Sequence, residues 1–150
     1  MSTPVVIPIA STRPDRVHPA PRRMTPGSAG LDLYACVDEP VEIAPKQLEL
    51  IGTGYAIALP PGYEGQVRPR SGLALNHKIG VLNSPGTIDS DYRGEIKVIL
   101  FNFGDQPYSV SDRERIAQLV IATVPFVVFE EVDRLDETGR GAGGYGHTGR

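Results

Sequence analysis

The sequence predicts an all-β fold, a jelly-roll-like barrel or sandwich, and three observations lead to that prediction. The 17 glycines and 14 prolines have no collagen-like period, so they indicate many turns. The runs between these turns are short and strand-like. No segment has the pattern of a helix of about ten residues or more. A domain of this kind often protects its sheet edges by oligomerising.

Length and composition favour a single domain over residues 1–150. Hydrophobic residues at 40% and charged residues at 22% are typical of a globular protein. The net charge of −3 gives no overall attraction to nucleic acid or anionic lipid, so neither is an expected partner. The chain lacks an apolar run of about 18 residues and a secretion-signal pattern, and the expectation is a cytoplasmic protein.

Cysteine and histidine usage excludes two kinds of site. The single cysteine, Cys36, cannot form an internal disulfide or part of a multi-cysteine metal site, and its apolar surroundings indicate a buried, inert thiol. The three histidines, His18, His77 and His147, have no metal-ligand spacing. No zinc site is therefore expected.

The first strands are predicted from runs that end at turns. Residues 5–10 form a short apolar run, and an irregular arm follows it. Residues 47–51 and 55–59 flank Gly52-Thr53-Gly54, which predicts a hairpin. Pro60 ends the second of these strands, because proline cannot donate to a ladder.

Three further strands and one short helix are predicted in the second half of the chain. Residues 94–103 alternate clearly, and both faces of that strand are candidates for burial. Residues 115–124 and 126–132 are two β-rich runs separated by a proline. A short helix is expected at residues 71–77, with Ser71 as its N-cap.

Two polar segments in the first half are candidate sites. Asp32 lies between two leucines in a strand-like run, where a charge needs a partner unless it faces solvent on an edge strand. Arg68 and Arg70 precede Ser71 and Gly72 at the expected helix start. Guanidinium groups and free backbone N–H groups together form a good phosphate site. An ordinary helix start with solvated arginines is the alternative.

Two polar segments in the second half are also candidates. Asp89 and Tyr92 lie in residues 80–94, which read as a hairpin around Pro85. A carboxylate beside a pocket can orient and deprotonate a water, and an aromatic ring can close one face of a sugar or base. The alternative treats the aspartates as turn formers. Gln118 interrupts an apolar strand, so it packs at an interface or reaches a ligand.

Together these segments resemble the homotrimeric deoxyuridine triphosphatases (dUTPases), in which five motifs occur in a fixed order. The resemblance covers nearly the whole chain after Pro26, and five motifs in order with matching spacing make it specific. The matching segments are AGLDLYA at 29–35, RPRSGLAL at 68–75, GVLNSPGTIDSDYRGEIKV at 80–98, RERIAQLVI at 113–121 and RGAGGYGHTG at 140–149.

The resemblance implies a fold, an assembly and a reaction. The fold would be a jelly roll assembled as a homotrimer, with three active sites that each take residues from all three chains. The reaction would be hydrolysis of dUTP to dUMP and pyrophosphate, which keeps uracil out of DNA and supplies dUMP for thymidylate synthesis. The cofactor would be Mg²⁺, held mainly by the triphosphate and water, with no dedicated protein ligands.

Residue roles follow from the same resemblance. Asp89 would be the general base, and Asp32 would belong to the catalytic region through water and arginine contacts. Tyr92 would pack under the deoxyribose and exclude a 2′-hydroxyl. The implied substrate-binding residues are Arg70, Ser71, Gly72, Asn83, Thr87, Ile88, Asp89, Tyr92, Lys97, Gln118, Arg140, Tyr145 and Thr148.

The glycine-rich end, residues 139–150, would be a mobile flap that closes over bound nucleotide. By resemblance, Arg140 would contact the γ-phosphate and the ring at Tyr145 would stack on uracil. This segment departs from the family pattern at two positions. The flap aromatic is usually Phe but is Tyr145 here, and His147 replaces a common serine.

Two alternatives of other kinds remain beside this interpretation. A dCTP deaminase shares the fold and some motif character, but it should lack the Asp89–Tyr92 segment and the flap. A regulatory trimer could bind dUTP without turnover; the presence of Asp89 and Arg140 argues against it.

Overall fold

The computed structural model describes residues 4–144 and residue 146. Within that part of the chain the structure is nearly all β, with ten strands and one short helix. In chain order the elements are β1 (Ile9–Ser11), β2 (Leu31–Tyr34), β3 (Val41–Ile43), β4 (Leu48–Ile57), β5 (Tyr63–Arg68), α1 (Ser71–His77), β6 (Ile79–Val81), β7 (Gly86–Ile88), β8 (Glu95–Asn102), β9 (Tyr108–Val110) and β10 (Arg115–Thr123).

The strands form two four-stranded antiparallel sheets and a two-stranded pair. One sheet has the order β1-β4-β8-β6, the other has the order β2-β10-β5-β7, and β3 pairs with β9. Apolar side chains from both four-stranded sheets pack into one hydrophobic cluster. Alternate residues of β8, Ile96, Val98 and Leu100, are buried in this cluster, as the period-two pattern of that strand predicts. The predicted all-β sandwich is therefore confirmed.

The predicted bounds of single strands and helices are most accurate where the residues of the element itself indicate where it begins and ends. The helix predicted at residues 71–77 is α1, and β8 and β10 agree with their predictions to within one residue at each end. Ser71 is the first helical residue rather than the N-cap, so that detail was wrong. Arg70 takes the N-cap position with an extended backbone, φ −90° and ψ 131°. The thiol of Cys36 is buried as expected, and burial raises its pKa.

The hairpin predicted at residues 47–59 is wrong, because β4 is one continuous strand. Its pairing with β8 shifts between Gly52 and Ala56, which is a β-bulge rather than a turn. Gly54 supplies the positive φ of 73° that the bulge needs. The side chain of Thr53 is buried there and donates a 2.7 Å hydrogen bond to the carbonyl of Ile96. The glycines therefore bend a strand instead of reversing the chain.

The strand predicted at residues 126–132 is also wrong. The structure places no strand or helix between residues 124 and 144. Phe126 and Phe129 are 95% and 91% exposed, so this apolar run has no neighbouring strand within the described chain to pair with. At the other end, the strand predicted at residues 5–10 is shorter and begins later, as β1. Among the described residues no helix has the length and hydropathy needed to cross a membrane.

Candidate active site

Three neighbouring strands bring remote polar residues together on one sheet. Gln118 of β10 pairs with Asp32 of β2 on one side and with Arg68 of β5 on the other. Arg70 follows β5 at the start of α1, and Arg115 begins β10. We call Asp32, Arg70, Arg115 and Gln118 the arginine cluster.

The carboxylate of Asp32 is the centre of this cluster. Its side chain is 14% exposed, and Oδ2 lies 3.3 Å from Nη1 of Arg115 and 3.7 Å from Nε of Arg70. Arg70 also donates a 2.9 Å hydrogen bond to the carbonyl of Arg115. Asp32 thus has the partners that its place in an apolar strand requires, and it orients two guanidinium groups. A pair of oriented guanidinium groups is suited to binding phosphate oxygens.

The amide of Gln118 is held by backbone contacts. Its Nε2 donates a 2.9 Å hydrogen bond to the carbonyl of Pro69, just before Arg70. A Cβ at Gly30 would overlap Oε1 of Gln118 and lie 3.1 Å from its Cδ. Only glycine at position 30 leaves this space free. Ser71 and Gly72 are exposed beside Arg70 at the start of α1.

A tyrosine borders the arginine cluster. The hydroxyl of Tyr108 donates to the carboxylate of Glu114, and burial together with that carboxylate raises the pKa of Tyr108. The positive charge of Arg70 acts in the opposite direction on the same group. Tyr108 is therefore a neutral hydrogen-bond donor at neutral pH.

A second group of predicted residues lines one cavity of about 180 Å³. The lining contains Thr87 and Ile88 of β7, Asp89 directly after it, and Tyr92 and Lys97 around the start of β8. We call this space the Tyr92 cavity. The carboxylate of Asp89 is exposed, and it also borders a neighbouring cleft of about 590 Å³. A carboxylate with this access can reach a water and a bound ligand together.

The segment between Gly80 and Gly94 is not the hairpin that its sequence predicts. β6 pairs with β8 in one sheet, whereas β7 pairs with β5 in the other, so the chain crosses between sheets there. The peptide bond Ser84–Pro85 in this crossing is cis. Asn83 is exposed near Gly86, whose Cβ position would lie 3.1 Å from Nδ2 of Asn83. Asn83 does not line the Tyr92 cavity.

The arginine cluster and Asp89 lie at opposite ends of β5. Ile88 pairs with Gly65, so Asp89 continues towards Glu64, whereas Arg68 ends the strand nearest the arginine cluster. Four residues at about 3.3 Å each separate Glu64 from Arg68, which is roughly 13 Å of strand. A single chain therefore does not bring these two groups of predicted residues together.

Of the C-terminal candidates, only Arg140 lies within the described residues. Arg140 is exposed, and its Nε donates a 2.7 Å hydrogen bond to the carbonyl of Gly143 in its own turn. Tyr145 and Thr148, which were predicted to bind substrate, lie outside the described residues, as does His147.

Sequence reasoning gave no role to Arg115, Gly30 or Glu95. Arg115 contacts a carboxylate 83 positions away, and Gly30 makes room for a side chain from another strand. The signal for Arg115 was present, since it begins the strand that carries Gln118. The sequence signal for Glu95 is a carboxylate at the start of an alternating strand, in the same segment as Asp89 and Tyr92.

Metal binding by the protein alone is not supported by its donor groups. Within residues 4–144 and 146, no group of three or more His, Cys, Asp or Glu side chains is placed to hold a metal ion. Asp32, the carboxylate of the arginine cluster, is already paired with two arginines. This donor set fits a metal that arrives on a phosphate ligand rather than one held by the protein.

Comparison with protein families gives a match over most of the chain. The dUTPase family model matches residues 17–149. A curated deoxyuridine 5'-triphosphate nucleotidohydrolase of Syntrophotalea carbinolica is 57% identical over 129 residues, which is 86% of this chain and 88% of that protein.

Solved structures with the same fold include two phage enzymes. The dUTPase of Staphylococcus bacteriophage 80alpha with dUpNHpp has a TM-score of 0.85 at 23% identity and covers 97% of this chain and 99% of that one. A mutant dUTPase from phage phi11 of S. aureus, described with a structural Mg(II) ion, has a TM-score of 0.78 at 20% identity. It covers 88% of this chain and 99% of that one. At these identities the two structures support the fold alone.

Proposed function

The chain belongs to the dUTPase family, and we propose that it hydrolyses dUTP to dUMP and pyrophosphate with the residues described above. The observation that carries this proposal is the 57% identity to a dUTP nucleotidohydrolase across 86% of the chain. The grouping of Asp89, Tyr92 and Lys97 around one cavity is consistent with it.

Asp89 is proposed as the general base. Its exposed carboxylate would accept a proton from a water as the water oxygen attacks the α-phosphorus. The bond from the α-phosphorus to the bridging oxygen then breaks, and pyrophosphate leaves with that oxygen. Arg70, Ser71, Gly72 and Gln118 would bind the phosphates and stabilise the charge that develops on them.

Selectivity is proposed to reside in the Tyr92 cavity and its approach. The ring of Tyr92 would pack under the deoxyribose and leave no room for a 2′-hydroxyl. Thr87, Ile88 and Lys97 would complete the wall around the nucleoside. Asn83 and the backbone of its segment would read the uracil edge, which excludes a cytosine amine or a 5-methyl group.

A homotrimer with shared sites is proposed, and three features support it. Asp89 and the arginine cluster lie at opposite ends of β5, so two chains are needed to supply both to one substrate. Residues 124–135 expose a run of apolar side chains, including Phe126 and Phe129, that a neighbouring chain would cover. Leu48 and Leu50 are also exposed on the outward side of β4.

The domain boundaries carry a related proposal. Residues 1–150 form one catalytic domain, and residues 139–150 act as a flap that closes on bound nucleotide. Glycine at positions such as Gly141, with φ of 52°, lets the backbone approach phosphate closely. Arg140, Tyr145 and Thr148 would contact the substrate from this flap.

Mg²⁺ is proposed as the cofactor that accompanies the triphosphate. Bound to phosphate oxygens, it supplies neutralising positive charge and orients the triphosphate. The residues of the arginine cluster would bind the remaining phosphate oxygens as positive donors rather than as metal ligands.

The test is turnover of four nucleotides in parallel. Pyrophosphate release is measured with Mg²⁺ from dUTP, dTTP, dCTP and UTP, and the nucleotide products are separated by chromatography. Release from dUTP alone, with dUMP as product, is the expected result. A uracil nucleotide formed from dCTP would contradict the proposal and indicate a deaminase. Binding of dUTP without turnover would contradict it in favour of a regulatory protein.

A further inference from the structure

The N-terminal arm, residues 11–18, is fixed to the body of the protein by charge pairs. Arg13 contacts Asp15 at 2.9 Å and Asp38 at 2.8 Å. Arg16 contacts Asp38 at 3.2 Å and donates to the carbonyl of Val37 at 3.0 Å. The guanidinium of Arg13 holds the pKa of both its carboxyl partners below the ordinary value. The sequence assigns no role to this arm, yet the arm occupies a defined position.

The arm ends in a buried histidine that binds the bulge of β4. The side chain of His18 is 7% exposed, and its Nε2 lies 2.9 Å from the carbonyl oxygen of Gly54. Since a carbonyl only accepts, Nε2 carries the proton in this contact. The amide of Thr12 donates to the same carbonyl at 2.8 Å. The ring of His18 packs 4.4 Å from that of Tyr55, whose hydroxyl donates to the carbonyl of His18.

The backbone of Gly54 in the bulge also binds Glu95, on the side away from His18. The N–H of Gly54 donates a 2.8 Å hydrogen bond to Oε1 of Glu95. A Cβ at position 54 would overlap Nε2 of His18 and lie 2.9 Å from Sγ of Cys36. Gly54 therefore permits the close packing that joins the arm to Glu95.

Glu95 in turn fixes the tyrosine of the Tyr92 cavity. The hydroxyl of Tyr92 donates a 3.0 Å hydrogen bond to the carbonyl of Glu95. A Cβ at Gly94 would lie 2.5 Å from Cζ of Tyr92, so the ring rests directly on the glycine backbone. Glu95 and Tyr92 both line the Tyr92 cavity. A continuous series of contacts thus runs from His18 through Gly54 and Glu95 to Tyr92.

We propose that Glu95 is a positioning residue for the ring of Tyr92, and that the N-terminal arm fixes Glu95 through His18 and Gly54. The consequence is that discrimination between deoxyribose and ribose depends on contacts outside the cavity. A hydrogen bond to a charged group is the strongest link in the series, and its loss lets the start of β8 shift. This inference rests on the proposed function, since it concerns how the same cavity selects its nucleotide.

The experiment measures kcat/KM for dUTP and for UTP, and the ratio of the two, in a set of variants. Glu95→Ala is expected to lower the ratio of kcat/KM for dUTP to kcat/KM for UTP by about tenfold, because a charged hydrogen bond is lost. The kcat for dUTP should change far less than this ratio. Glu95→Gln keeps the accepting oxygen and should restore most of the ratio. His18→Leu, which removes the donor from the arm, should lower the ratio in the same direction.

Asn102→Ala is the matched control, because it removes buried hydrogen bonds to the carbonyls of Ile43 and Gln106 at the opposite end of β8 without touching Glu95 or Tyr92. It should lower the melting temperature and leave the ratio unchanged. An unchanged ratio in both Glu95→Ala and His18→Leu would overturn the inference, while selective dUTP hydrolysis by the unaltered chain would leave the proposed function intact. If Glu95→Ala does not fold, His18→Leu carries the test alone, and an unchanged ratio in that variant overturns the inference.

Discussion

The arginine cluster and the Tyr92 cavity are built in different ways. The arginine cluster joins residues that are far apart in sequence, such as Asp32 and Arg115, through ion pairs across neighbouring strands. The Tyr92 cavity is formed by residues 87–97, which follow each other along the chain and pack against glycine and backbone groups. One region depends on charge and the other on shape.

This difference predicts two kinds of functional effect. Every nucleoside triphosphate carries the same phosphate charge, so changes in the arginine cluster should affect all of them alike. Sugar and base differ among nucleotides, so changes in the Tyr92 cavity should alter the choice between them. Asp89 borders the cavity but would act on the reaction itself, and it provides the sharpest test of the division.

The largest effect is expected for Asp89→Asn. The amide cannot accept the proton from water, so kcat for dUTP should fall by about two to four orders of magnitude. Binding of dUTP, measured by calorimetry, should be retained because the cavity keeps its shape. Asp91→Asn is the matched control, since it changes an exposed carboxylate in the same loop. Equal turnover by Asp89→Asn and the unaltered chain would remove Asp89 from its proposed role.

Removal of residues 139–150 is expected to have the next largest effect. Without the flap the triphosphate is less well positioned, and kcat/KM should fall by about 100-fold. The melting temperature and the elution volume in size-exclusion chromatography should stay the same, because the described residues of this stretch, 139–144 and 146, lie outside the hydrophobic cluster.

Two point variants separate the flap from the rest of the C-terminal stretch. Arg140→Ala should reproduce part of the loss. Arg134→Ala changes an exposed arginine that pairs with Glu137, and it should have little effect. A truncated chain that melts at a clearly lower temperature would instead indicate that the end of the chain is structural.

A smaller effect is expected for Asp32→Asn. The two arginines lose a charged partner and their fixed orientation, so kcat/KM should fall by about tenfold. The fall should be equal for dUTP and UTP, in contrast to the variants of Glu95. Asp105→Asn, which changes an exposed carboxylate paired with Lys46, is the control. A change in the ratio of kcat/KM for dUTP to kcat/KM for UTP would contradict the assignment of phosphate binding to the arginine cluster and of selectivity to the Tyr92 cavity.

The sequence predicted local structure better than remote contacts, for physical reasons. β8 carries a period-two pattern and α1 has a polar start residue after Pro69, so both were located within a residue. The bulge of β4 was read as a turn because glycine supplies a positive φ in either setting. Residues 126–132 have strand propensity but no strand partner among the described residues, and propensity alone does not make a strand.

The candidate site was predictable in the same uneven way. The motif order indicated which residues to examine, such as Asp89 and Gln118. It gave no information on which of them one chain brings together, because that depends on strand register. The contact of Asp32 with Arg115 and that of Gly54 with Glu95 join positions 83 and 41 residues apart. Such contacts depend on the whole sheet and are not visible in any short segment.

The separation of Asp89 from the arginine cluster along β5 has a genetic consequence. If each site takes one group from each of two chains, a chain defective in one group still supplies an intact copy of the other. Co-expression of Asp89→Asn with Arg70→Gln would then give mixed assemblies in which some sites combine both intact groups. Two alleles that are each inactive alone would complement one another, and inheritance of the defect would depend on which end of β5 each allele damages.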